Sequence, residues 1–265
     1  MSGLYLRMHP GYSYPASLIL LVLRDWVLGR RRCLIHDARA AVEQLGDRLR
    51  YAGRERIPRD GPFLVTHNHY SRRGFGVWWL HLAIVAAMPR NPCSVMTSEL
   101  TGWLRPWGRS ISRLALPRLA KMYGIITMPP MPPRPADVQA RSQSVRRVLR
   151  TIRQDPRSVI VAAPEGRDNP DGGSLSRPPP GAGRFLLLMS EQGLPLLPAA
   201  GWESGGRLVV RFGEPYTLAV PDGLNMDRKD AAAAGVVMDH LAELLPEHLR
   251  GAYSSPRAQP VLPPG

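Results

Sequence analysis

Cysteine is nearly absent: Cys33 and Cys93 are the only two in 265 residues. Two are too few for a disulfide framework or a cysteine-rich zinc site, and they read as two buried thiols in a reducing compartment. Lysine is as scarce, with only Lys121 and Lys229 among 35 basic residues. No run reaches the ~18–20 apolar residues of a membrane-spanning helix; the stretch Ala16 to Leu23 ends at Arg24 and Asp25. A cleaved leader would carry its charges before the apolar run, whereas Arg30, Arg31 and Arg32 follow it. Aromatics make up only 7% of the chain, and no basic-aromatic platform, zinc spacing or helix-turn-helix pattern accompanies them. Nucleic acid is therefore not the expected partner. One further absence is local: no Asp or Glu occurs from Gly61 to Ser98.

What is present is arginine. The net charge is +14, which favours an anionic partner such as a phospholipid surface or a phosphorylated substrate. A helix is expected over Ala16 to Leu28, with Leu and Trp on its faces and arginines at its end. That pattern suits a membrane interface, and equally a core helix packed on its own domain.

Strands alternating with helices predict one α/β domain, with a mixed, largely parallel central sheet flanked by helices. Residues 1–50 form an N-terminal helical segment, 51–253 the α/β domain and 254–265 a disordered tail. A second helix is expected over about Asp37 to Arg50. Phe63 to Thr66 reads as a short buried strand leading into His67-Asn68-His69, and a helix with Trp78, Trp79, Leu82 and Val85 follows. Met128 to Pro135 is too proline-rich for helix or central strand. Further on come a helix over about Ala136 to Gln154, a central strand over Val159 to Ala163 and a Gly/Pro-rich loop over Asn169 to Gly183. A helix over Arg184 to Gln192 follows, then strands over Leu196 to Trp202 and Arg207 to Phe212, and a helix over Met226 to Leu245.

Two segments carry candidate chemistry. His67-Asn68-His69-Tyr70-Ser71-Arg72-Arg73-Gly74 follows the first buried strand, where a histidine can act as a general base or serve the turn structurally. Pro164-Glu165-Gly166-Arg167-Asp168 follows the second, and ligands of open α/β sheets bind at the carboxyl ends of strands.

In this order the segments resemble the glycerophospholipid acyltransferases typified by 1-acylglycerol-3-phosphate acyltransferase. Asn68, His69 and Ser71 match the family's Asn-His-x-Ser-x-x-Asp. Pro164, Glu165 and Gly166 match its Phe-Pro-Glu-Gly-Thr-Arg, and Pro195 and Pro198 match a later Pro-x-x-Pro. The resemblance covers roughly Tyr51 to Tyr253. It implies that His69 deprotonates an acceptor hydroxyl, such as that of a lysophospholipid, which attacks the thioester of an acyl-CoA or acyl-carrier protein. It implies no cofactor, no metal and no acyl-enzyme. Asn68, Ser71, Arg72, Arg73, Glu165, Gly166 and Arg167 would bind substrate, with the protein peripheral on the cytoplasmic face of a membrane.

The chain departs from the family pattern at the acid, since the Asp position is Gly74. Reading the motif from His67 places Arg72 there instead. In the serine-protease triad, losing the carboxylate beside the histidine costs about 10⁴ in rate. Glu165, Asp168 and Asp171 are the carboxylates that the second segment could bring to His69. The family's phosphate arginine is displaced as well, and Arg72, Arg73, Arg134 or Arg167 could stand in for it.

Overall fold

The computed structural model describes residues 12–72, 75–98, 106–129, 134–166 and 173–254, over 106–114 as backbone alone. Seven strands form one sheet: β1 (Leu49–Ala52), β2 (Phe63–His67), β3 (Cys93–Thr97), β4 (Ile126–Met128), β5 (Val159–Ala162), β6 (Leu196–Ser204) and β7 (Arg207–Phe212). Their order is β1-β7-β6-β2-β5-β3-β4. Every neighbouring pair is parallel except β6 with β7. The expected mixed, largely parallel sheet is therefore what forms.

Seven α-helices lie among the described residues: α1 (Ala16–Val27), α2 (Leu34–Glu43), α3 (Val77–Ala87), α4 (Pro106–Tyr123), α5 (Val138–Gln154), α6 (Ala182–Glu191) and α7 (Met226–Leu244). The central strands read as unbroken apolar runs because both of their faces are covered. Phe63 and Val65 of β2, Val159 and Val161 of β5, and Leu197 and Ala199 of β6 enter one core cluster with α2 and α3. Their alternates Leu64, Ile160, Ala162 and Leu196 enter a second cluster with α5, α6 and α7. Period-two alternation of side chains thus divides the core between two helical layers.

The second helix is shorter than expected and begins earlier. It ends at Glu43, and Gly46 then takes a positive φ of 47° that a non-glycine residue rarely adopts. The chain passes through a 3₁₀ turn into β1, whose Leu49 to Ala52 pair with β7. Three elements had no sequence expectation. α4 contains Pro117 and Gly108, both breaker signals, and β3 and β4 are short strands at one side of the sheet. Leu18, Leu34, Ile35, Ala38, Ala41, Val42 and Leu45 share a core cluster with Phe63 and Leu80, so the described N-terminal part, from Tyr12 to Leu45, packs onto the α/β sheet.

An ionic cluster ties this N-terminal part together. Arg32 donates to Asp37 at 2.6 and 2.7 Å and also pairs with the buried Asp25 of α1. Tyr123 of α4 donates its hydroxyl to Asp37 at 2.6 Å. Hydrogen bonds from Arg24 and Arg32 and their positive charges hold the Asp25 carboxyl below its usual range.

Candidate active site

β2 lies at the centre of the sheet. The chain leaves it toward β3 and β4 on one side, returns through β5 and crosses to β6 on the other. That reversal is the switch point at which open α/β sheets place a ligand crevice. His69 and Glu165 sit just beyond the carboxyl ends of β2 and β5, which pair in parallel.

Among the described residues, Glu165 is a carboxylate that reaches His69, and it does so through the main chain. Its Oε1 accepts the His69 backbone N–H at 2.7 Å. Its Oε2 accepts the Ser176 N–H at 2.7 Å and the Ser176 hydroxyl at 2.9 Å. Burial pushes the Glu165 carboxyl up from its usual range, while these three donors and the charge of His69 pull against that shift. The turn that presents it is short: Gly166 N–H donates to Ala163 carbonyl at 3.2 Å, and Gly166 takes a φ of 63°. Proline after Ala163 and glycine at the fourth position suit such a turn.

Asn68 has a different task. Its side-chain amide donates to the Gly201 carbonyl at 2.9 Å and accepts the Gly201 N–H at 2.8 Å. β2 ends at His67, so the Asn68 amide continues the β2–β6 ladder with a side chain where the backbone has turned away. Asn68→Ala is expected to cost about 2–4 kcal/mol, because two buried backbone groups of β6 lose their partners. Urea unfolding of the purified variant measures it, and a midpoint equal to that of the wild type would remove this role.

Arg72 is engaged as well. Its Nη2 donates to Glu203 Oε1 at 2.7 Å, its Nε bonds Glu203 Oε2, and the Tyr12 hydroxyl donates to Oε1 at 2.9 Å. The Tyr12 ring meets Phe75 edge-on at 4.9 Å, so a residue near the start of the chain packs beside the turn after His69. Ser71 is half-buried, and its carbonyl lies against Gly173. Arg73, Gly74, Arg167, Asp168 and Asp171 lie outside the described residues. Arg134 is exposed.

Two further histidines surround the site. His67 Nε2 lies 3.3 Å from His81 Nδ1, and His81 Nε2 lies 3.0 Å from the Ser94 hydroxyl. Burial and the neighbouring His81 push His67 down to about 3, and burial followed by the charge of His69 pushes His81 down to about 4. Both rings are neutral at pH 7. Unfolded histidine titrates near 6.5, so below that the unfolded chain binds more protons than the folded one. Stability should therefore fall as the pH drops below ~6.5 and level off near the folded values. Two such groups give a slope of at most about 2.7 kcal/mol per pH unit. The raised Glu165 carboxyl has the opposite sign: its contribution is present at low pH and lost as the pH rises through its folded value. Urea midpoints between pH 7 and 4 test the balance. A flat profile would contradict a neutral buried histidine pair.

The sequence pointed to His69 and Glu165 and gave no signal for Ser176, Gly201 or Glu203. His81 was visible only as the single polar residue in the apolar segment Val77–Ala87. Among the described residues, no three His, Cys, Asp or Glu side chains are grouped so that they could hold a metal ion.

A histidine and a buried carboxylate at adjacent parallel strand ends, at a switch point, make the surroundings of His69 the candidate ligand site of this α/β protein. The family model named Acyltransferase matches residues 48–202, more than half of the chain, so the chain belongs to the acyltransferase family. Among curated proteins nothing matches. Among solved structures, the chain is similar to the 1-acyl-sn-glycerophosphate (LPA) acyltransferase PlsC from Thermotoga maritima. The two share 17% identity over 84% of this chain and 87% of that one, with a TM-score of 0.49.

Proposed function

We propose that this protein transfers a fatty acyl group from an acyl thioester to a hydroxyl of a lysophospholipid or related glycerolipid. His69 acts as the general base on that hydroxyl. The observation that carries this reading is the hydrogen bond from His69 N–H to the buried Glu165 carboxylate, which joins the two family motifs at the ends of β2 and β5. The acceptor oxygen gives its proton to His69 as it attacks the thioester carbonyl; the C–S bond then breaks, and the departing thiolate takes that proton from His69, which restores the base. Glu165 orients the histidine segment and favours the positive charge that develops on the ring. Asn68 shapes the strand end, and Ser71, Arg72, Arg73, Gly166 and Arg167 are the residues proposed to bind the acceptor headgroup.

The purified chain, incubated with long-chain acyl-CoA or acyl-carrier protein and a panel of lysolipids, should form the diacyl product. No product with any pair would overturn the assignment. The alternative is a family member that binds lipid or acyl groups without turnover, and Gly74 at the acid position of the motif favours it. Under that reading Gly74→Asp creates or raises activity in a silent wild type, and normal turnover by the wild type defeats it.

The substrate is lipid, and α1 suits a peripheral site on the membrane that holds it, on the cytoplasmic face. No helix among the described residues is long and apolar enough to cross a membrane. Leu20 is 67% exposed, Leu23 54% and Val27 75%, with exposed Arg24, Arg30 and Arg31 beside them. Apolar side chains with arginines nearby fit an anionic bilayer surface. Replacing Leu20 and Leu23 together by glutamate should lower partition onto anionic vesicles at least tenfold without a change in the thermal midpoint. Unchanged co-sedimentation would remove α1 from membrane contact.

A further inference from the structure

α3 is apolar on every side except at His81, and a polar residue in such a helix needs partners for what it buries. His81 has a partner on each nitrogen. The direction of every hydrogen bond in the chain follows from its far end. His67 Nδ1 lies 2.9 Å from the Asn68 carbonyl oxygen, which can only accept, so Nδ1 of His67 carries the proton. In the neutral ring Nε2 then accepts, so Nδ1 of His81 donates to it at 3.3 Å. Nε2 of His81 is left as the acceptor, and the Ser94 hydroxyl donates to it at 3.0 Å. The chain runs Ser94 to His81 to His67 to the Asn68 carbonyl, with one proton per link and none missing.

The last acceptor gives this chain its significance. The carbonyl of Asn68 and the N–H of His69 belong to the same planar peptide group. Glu165 Oε1 holds that N–H at 2.7 Å, and His67 holds the carbonyl on the opposite edge. We infer that Ser94, His81 and His67 act as positioning residues for His69: with Glu165 they fix the peptide plane from which the His69 side chain enters the site. None of the three touches the reacting atoms. The inference rests on the reading of His69 as the base. Three separate elements, β3, α3 and the end of β2, thereby converge on one peptide.

Nitrogen-15 NMR of the histidines in the full chain tests the hydrogen-bond order without any substrate. His67 and His81 should both be neutral Nδ1–H tautomers from pH 6 to 8. An Nε2–H tautomer or an imidazolium at either position overturns the inference. Kinetics test the positioning. His81→Leu removes the donor to His67 and should lower kcat roughly 10- to 100-fold with KM for both substrates unchanged, as expected when a reacting group is slightly misplaced. His81→Asn carries an amide N–H where Nδ1–H was and should recover most of the loss. Should His81→Leu fail to fold, Ser94→Ala deletes only one hydroxyl and should lower kcat about fivefold, the equivalent of one hydrogen bond. Wild-type kcat in a folded His81→Leu or Ser94→Ala variant, or no recovery by asparagine, overturns the inference. A wild type that transfers no acyl group counts against the proposed function, and the tautomers still decide the hydrogen-bond chain.

Discussion

His69→Ala should reduce acyl transfer by about 10²- to 10⁴-fold while the protein remains folded, the range expected when a general base is removed. The tie between position 69 and Glu165 is made by the backbone N–H, so alanine keeps it. The substitution therefore isolates the ring. Under the proposed mechanism the ring acts on the acceptor hydroxyl, so KM for the acyl donor should change little and kcat should carry the loss. A variant that transfers acyl groups at the wild-type rate would leave the family motif without a chemical role for its histidine. His67→Asn is the natural comparison. It keeps an N–H donor toward the Asn68 carbonyl, so any loss it shows should be far smaller.

Glu165→Ala should be the most damaging single substitution for the fold of the site. Three donors converge on this carboxylate: the His69 N–H, the Ser176 N–H and the Ser176 hydroxyl. Glu165 is 1% exposed, so water cannot readily replace it. Leaving buried donors without acceptors costs ~1–3 kcal/mol each, and the charged acceptor places the total at about 3–5 kcal/mol. Activity should fall together with stability, since the His69 N–H loses its acceptor. Glu165→Gln is not a mild version of the change. Glutamine offers one accepting oxygen and one donating NH₂, so at least one of the three donors would face another donor. Chemical denaturation and the acyl-transfer assay, run on both variants, separate stability from rate. Wild-type stability in Glu165→Ala would show that the carboxylate is not the organising group.

Much of this site was legible because it uses short-range patterns. The apolar run Phe63 to Thr66 followed by histidines announces a strand end, and Val159 to Ala163 followed by Pro164-Glu165-Gly166 announces another. The partners of these residues were not legible. Glu165 and His69 are 96 positions apart, Asn68 and Gly201 are 133 apart, and Arg72 and Glu203 are 131 apart. No local pattern in a single sequence specifies such pairings. Arg72 illustrates the point: the motif marks it as a headgroup candidate, and nothing local announces its pairing with Glu203, which also accepts from the Tyr12 hydroxyl. The end of α2 departs from its expected place for a different reason, since leucines at 45 and 49 continue a helical spacing that Gly46 interrupts.

The ladder between Asn68 and Gly201 has a consequence for synthesis. β2 and the histidine segment are made early, but β6 follows only after Leu196, and Glu203 lies near its end. Until about residue 204 has left the ribosome, β2 exposes one edge and His69 lacks the frame that orients it. Long-range pairing of this kind slows folding, and an unpaired central strand invites aggregation. A nascent chain stalled before β6 should consequently be protease-sensitive and chaperone-bound, while one stalled well beyond α7 should have acquired its protected core.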